Sequence, residues 1–153
     1  MRKPLILWST LAFAIIVAGF TFWSPQHKTV IERAEDGTLF VSNFPDSDKL
    51  ALDWWKRNKL TLQQRYNLIP TKGYFSLTIM DFGKGYVELP AEDFIAGISQ
   101  GDYLCFDSIK NKKRCLEKEV MASMAGDITK KVFIYIGETE YIQYPDGIIE
   151  KAK

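Results

Sequence analysis

The opening segment, MRKPLILWSTLAFAIIVAGFTFWSPQHK, constrains this chain more than any other, because no charged residue occurs from Leu5 to Trp23. A helix rises about 1.5 Å per residue, so a run of this length nearly matches a hydrocarbon core of roughly 30 Å. Trp8 near one end, and Phe22 with Trp23 at the other, suit the two membrane interfaces, and Pro25 is a natural stop beyond them. A single transmembrane helix over residues 5–23 is predicted. A cleaved secretory signal would share the basic start and the apolar core. Its cleavage site, however, is poor: Val-Ala-Gly at 17–19 lies inside an apolar run that continues through Phe-Thr-Phe-Trp, and Ala12 and Ala14 come too early. An uncleaved signal anchor fits better. Arg2, Lys3 and the amino terminus outweigh Lys28, and the excess of positive charge stays in the cytoplasm. The expected organisation is a cytoplasmic N-terminus over 1–4, the span over 5–23, a linker over 24–29 and a periplasmic domain over 30–153, held in a bacterial inner membrane.

Export decides how the two cysteines are read. Cys105 and Cys115 are the only pair in the chain, and in an oxidising compartment such a pair is ordinarily a disulfide. Tyr-Leu-Cys-Phe and Cys-Leu-Glu-Lys-Glu-Val both read as short strands around a charged, turn-rich loop, which places the two thiols near facing positions of a hairpin. Closing a loop of this size stabilises a fold by roughly 3 kcal/mol in the chain-entropy description. A structural zinc site needs about four Cys or His ligands, and the one histidine, His27, sits beside the anchor. The ten-residue spacing is also unlike the Cys-X-X-Cys motif that activates a redox thiol.

Beyond the anchor, residues 29–45 read as two strands joined at Glu35, Asp36 and Gly37, since Asp-Gly is a strong hairpin signal, and Pro45 ends the second strand. Between Pro45 and Pro70 an amphipathic helix is predicted, with Asp46 or Ser47 as its cap. With Trp55 as reference, a period of 3.6 gathers Ala51, Leu62, Tyr66 and Ile69 on one stripe; Lys59 falls near that stripe and interrupts it, and a break near Asn58 would give two helices. Residues 74–82 alternate as a strand with Phe75, Leu77 and Ile79 on one face, and Gly83 to Gly85 turn the chain into a further strand at Tyr86–Leu89. A second hairpin is expected around Gly137 to Thr139, with Val132, Ile134 and Ile136 on a shared face. Residues 90–101 read as a short helix or a loop, and the tail from Asp146 is expected to fray. The fold class is therefore α+β: a single transmembrane helix, then a small domain with one amphipathic helix packed on an antiparallel sheet.

Charge and motif chemistry exclude more than they include. The net charge of +1 comes from 20 basic and 19 acidic residues, and removing Arg2 and Lys3 leaves 18 against 19, so no basic stripe for nucleic acid exists. With His27 at the anchor, no histidine base is available within the domain for a serine or cysteine nucleophile. The carboxylate pairs Asp46 with Asp48, Glu92 with Asp93 and Glu138 with Glu140 sit at turns, where they are solvated rather than convergent across a cleft. Asp81-Phe82-Gly83 lacks the companion motifs of a kinase and reads as a turn. No catalytic residue, metal site or cofactor is expected, and the protein is not expected to be an enzyme. Two features suit contact with a partner. Trp54 lies about 100° around the helix from Trp55, on the shoulder of the buried stripe, where it either packs beside Leu50 or stays half-exposed. Lys110, Lys112, Lys113 and Arg114 form a basic hairpin tip, either simply solvated or facing an acidic partner.

The combination WWKRNK, QQRYNLIP, DFGKGY and LCFDSIKNKKRCLEKE resembles an enterobacterial family of inner-membrane proteins classed as a domain of unknown function. The resemblance implies location and architecture and supplies no catalytic residues. The expected role is protein interaction in the periplasm, one version being immunity to a delivered toxin. The alternative is a module binding an envelope glycan or lipid headgroup through an aromatic site at Trp54.

Overall fold

In the computed structural model, residues 28–153 are described; the predicted span over 5–23 and His27 lie outside the described residues. Strands β1 (Val30–Glu35) and β2 (Thr38–Ser42) form the expected hairpin, with Asp36 at φ +46° and Gly37 at φ +74° in the turn. Only glycine serves at position 37, since a Cβ there would lie 2.8 Å from the backbone oxygen of Ser76. Helix α1 (Asp48–Gln64) follows without a break at Asn58, whose side-chain amide donates to the Trp54 carbonyl at 2.8 Å. Ser47 occupies the N-cap position, but its hydroxyl accepts no capping bond. The helix stops at Gln64, short of Ile69, because Asn67 turns left-handed at φ +52° and the Leu68 N–H donates back to Leu62.

The chain returns as β3 (Phe75–Asp81) and, after a long excursion, as β6 (Val120–Gly126), β7 (Val132–Ile136), β8 (Thr139–Gln143) and β9 (Ile149–Lys151). The sheet runs β1-β2-β3-β6-β7-β8-β9. It is mixed rather than purely antiparallel, because β2 and β3 pair in parallel. Parallel neighbours need a crossover, and α1 supplies it. Two other expectations change. The tail does not fray: β9 pairs with β8, and the Ala152 N–H donates to Glu140 at 2.9 Å. Tyr86–Leu89 is not a strand, since Val87 alone makes a bridge, to Cys115. Strand β6 carries little strand signal in Val-Met-Ala-Ser-Met-Ala-Gly, yet it sits at the centre of the sheet. Its small residues are required there: a Cβ on Gly126 would lie 2.0 Å from the Phe75 ring that covers it.

Helix α1 packs on one face of this sheet. Ala51, Trp54, Trp55 and Leu62 are buried against Leu39, Val41, Leu77, Ile79, Met124 and Ile134. Phe75 stacks on Trp55 at 6.5 Å. The buried Trp55 indole N–H donates to Gln143 Oε1 at 3.0 Å, which joins the helix to β8. At the N-terminal end of α1, Tyr141 donates to Asp48 at 2.6 Å.

The opposite face is covered over β2 and β3 by the excursion of residues 82–119. Strands β4 (Tyr103–Cys105) and β5 (Cys115–Glu117) pair antiparallel with Cys105 opposite Cys115, and the two form the expected disulfide. The hairpin buries Phe106 and Leu116 against Phe40, and Met80, Phe82 and Tyr86 pack around them. Phe106 meets Phe40 and Tyr86 edge-on at 5.7 and 6.1 Å, while the Arg33 guanidinium lies 3.8 Å over its ring. Arg33 also donates to Ser108 at 3.2 Å and pairs with Glu35, so β1 holds the hairpin loop in place.

Two substitutions test this account. Replacing both Cys105 and Cys115 by alanine is expected to lower unfolding free energy by roughly 3 kcal/mol, read from denaturant midpoints. Gln143→Leu strands the buried Trp55 N–H and is expected to cost about 1–3 kcal/mol in the same assay.

Candidate functional site

The strand register sorts the domain into two ends. Val30 pairs with Ser42, and β3 closes and β6 opens at the same end, where residue 28 enters. Phe75, Gly126, Val132 and Gln143 mark the far end. A cleft of about 680 Å³ opens beside Lys28 between the end of β2 and α1, bordered by Phe44, Leu50, Trp54 and Arg57. A second, of about 560 Å³, lies at the far end.

Of the residues predicted to contact a partner, Trp54 is only 6% exposed. The packed alternative is the one realised. Phe44 meets its ring edge-on at 5.3 Å, and with so little of the side chain exposed Trp54 offers no open platform for a sugar. Lys110, Lys112 and Lys113 are exposed on the hairpin loop. Arg114 is half-exposed and paired with Asp107 at 2.6 Å. Trp54 belongs to the core on the helix side and the hairpin to the core on the other, so the structure does not bring Trp54 and the basic tip together.

A feature without a sequence signal stands out within the excursion. Asp93 and Ile98 exchange backbone hydrogen bonds at 3.0 and 2.8 Å, and Asp93 Oδ1 accepts the N–H groups of Ile95 and Ala96 at 3.0 and 3.1 Å. Gly97, at φ +70°, completes the turn. This closed loop holds Phe94 at 83% and Ile95 at 101% exposure. Two adjacent apolar side chains presented this fully on a hydrogen-bonded turn form a candidate contact point for another surface. From Glu88 to Asp107 the flanking charges are all acidic (Glu88, Glu92, Asp93, Asp102 and Asp107), whereas Lys110 to Arg114 are basic. The excursion is thus apolar and acidic at one part, basic at another. Among the described residues no group of three or more His, Cys, Asp or Glu is disposed to hold a metal ion, and no helix is long and apolar enough to cross a membrane.

Over residues 1–153 the sequence matches the family described as "Enterobacterial putative membrane protein (DUF943)". The chain belongs to this family. The match embraces both the predicted span and the described domain. No curated protein and no solved structure matches the chain.

The far cleft of this DUF943 member contains the lysine that interrupts the helical stripe. Lys59 is half-buried, its Nζ is 3.3 Å from Gln143 Oε1 and 5.5 Å from the Trp55 ring centre, and burial pulls its pKa down. Folding lowers this pKa from 10.5, so the unfolded chain binds the proton more readily between the folded value and 10.5. Stability from this group therefore rises with pH through that window, and the penalty is complete below it. Lys59→Met is expected to stabilise the fold by about 0.5 kcal/mol at neutral pH, a figure discounted for its partial exposure. Thermal unfolding across pH checks this, and the gain should shrink as pH approaches 10.5.

Proposed function

We propose that this protein is a single-pass inner-membrane protein, N-terminus in the cytoplasm, whose periplasmic domain docks another protein and catalyses nothing. The observation that carries the reading is the closed Asp93–Ile98 loop with Phe94 and Ile95 turned outward. Because the loop is already ordered, docking costs little conformational entropy, and its two apolar side chains suit a small hydrophobic socket. Glu92 and Asp93, which directly precede the two apolar residues, favour a socket with a basic rim, which would also steer association. Lys110, Lys112 and Lys113, exposed on the same excursion, supply a second contact of opposite sign. Immunity to a periplasmic toxin is one form of this role. A glycan-binding role has less support, because Trp54 is buried.

The test is photo-crosslinking in intact cells from a benzoylphenylalanine placed at Ile95, with the exposed Tyr74 at the far end as control. A discrete protein adduct is expected from position 95 and not from 74, and Phe94→Asp in the same chain should reduce its yield at least ten-fold. Equal labelling from both positions, or lipid adducts alone, would overturn the proposal. Mass spectrometry of the adduct identifies the partner.

A further inference from the structure

We propose that the far cleft is a binding site for a small anion, with Lys59 as the cation that pairs with the ligand's carboxylate or phosphate group. This is independent of the docking loop, which lies on the excursion. The cleft has a volume of about 560 Å³, within the usual range for small-molecule sites. Lys59, Lys72, Lys130 and Lys131 all line it. Asp127 is the one acidic residue in the lining, and its Oδ1 is already engaged by the Thr129 N–H at 2.8 Å, the Thr129 hydroxyl at 2.6 Å and the Lys131 N–H at 3.2 Å.

Lys59 is the anomaly. Its ammonium is drawn partly out of water on the buried side of α1, and its hydrogen-bond partner is a neutral amide oxygen that also accepts from Trp55. It forms no ion pair among the described residues, and residues 1–27 contain no Asp or Glu that could provide one. A half-buried cation without a counter-ion is less well solvated than one in open water, and such a group suits a site whose ligand brings the opposite charge. Its remaining N–H donors are available to an oxyanion in the cleft. Lys72, Lys130 and Lys131 add positive potential, whereas Ile69, Phe75 and Val132 provide apolar lining. The ligand this combination fits is an oxyanion head on a compact, partly apolar body: a small organic acid or a phosphate ester.

Trp55 provides a local reporter, since its indole N–H shares the acceptor of Lys59. The full chain, labelled with ¹⁵N-tryptophan in detergent micelles, is titrated with inorganic phosphate, phenyl phosphate and benzoate at constant ionic strength, with benzyl alcohol as the neutral control. A saturable shift of the Trp55 indole signal is expected, with half-saturation at about 1 mM or below for phenyl phosphate, benzoate or both. A response to phenyl phosphate but not benzoate assigns the head as phosphate, and the reverse assigns a carboxylate. Lys59→Met should weaken binding at least ten-fold while leaving the dispersed tryptophan spectrum intact. Should that variant fail to fold, the surface pair Lys72→Gln with Lys130→Gln must weaken binding at least three-fold. The absence of any saturable shift overturns the proposal, as do an equal response to benzyl alcohol and unchanged affinity in the variants.

Discussion

The domain has one helix to cover one whole face of a seven-stranded sheet, and the register of that helix hangs on the indole of Trp55. A fully buried tryptophan contributes a large apolar area but has an N–H that must find an acceptor. Gln143, on β8, is that acceptor, so one hydrogen bond ties the helix that follows β2 to a strand four places away in the sheet. Once the indole is fixed, its neighbours follow. Phe75 stacks against it, the Phe75 ring needs the space above Gly126, and β6 is therefore built of small residues at the centre of the sheet. Lys59, one turn further along the helix, is drawn to the same glutamine and becomes half-buried.

The two faces of the sheet are covered in different ways, one by α1 and the other by the 82–119 excursion. Strands β3 and β6 are direct neighbours, and the Asp81 N–H donates to Glu119 at 2.9 Å, so the ends of the 82–119 excursion meet. The sheet does not need that excursion for its strand order. What the excursion contributes is cover for Phe40 and Met80, a disulfide and the exposed loop at Phe94. Loops set on a rigid scaffold are where binding surfaces usually arise. The far cleft, by contrast, is made by the scaffold itself.

The parts of the fold that were legible in the sequence are those fixed by local chemistry. Asp36-Gly37 specifies its turn, alternation in residues 75–79 specifies a face, and the cysteines specify the hairpin. What was not legible depended on contacts distant in sequence. Val-Met-Ala-Ser-Met-Ala-Gly has low intrinsic strand preference and becomes central because its Ala122 and Met124 enter the core and Phe75 of β3 packs over its Gly126. The tail reads as polar and loose, yet β8 presents an open edge that it can complete. Of the candidate contacts, the exposed lysines at 110–113 were visible as a charge run, but the Phe94–Ile95 tip was hidden because its exposure is a property of the closed loop. Lys59 was visible as an irregularity in the apolar stripe, whereas its partner Gln143 lay eighty-four residues away.

The placement of the excursion also bears on how the chain searches for its fold. Pairing β3 with β6 means closing a loop over residues 82–119, and the disulfide removes the stretch between Cys105 and Cys115 from that loop. The saving is small, because closure entropy grows only logarithmically and a full doubling of length costs about 0.6 kcal/mol. Forming the hairpin early therefore does little to hasten the meeting of β3 and β6. Its larger effect comes afterwards: the cross-link holds β4 to β5, so the cover over Phe40 can lift only as one piece and not strand by strand.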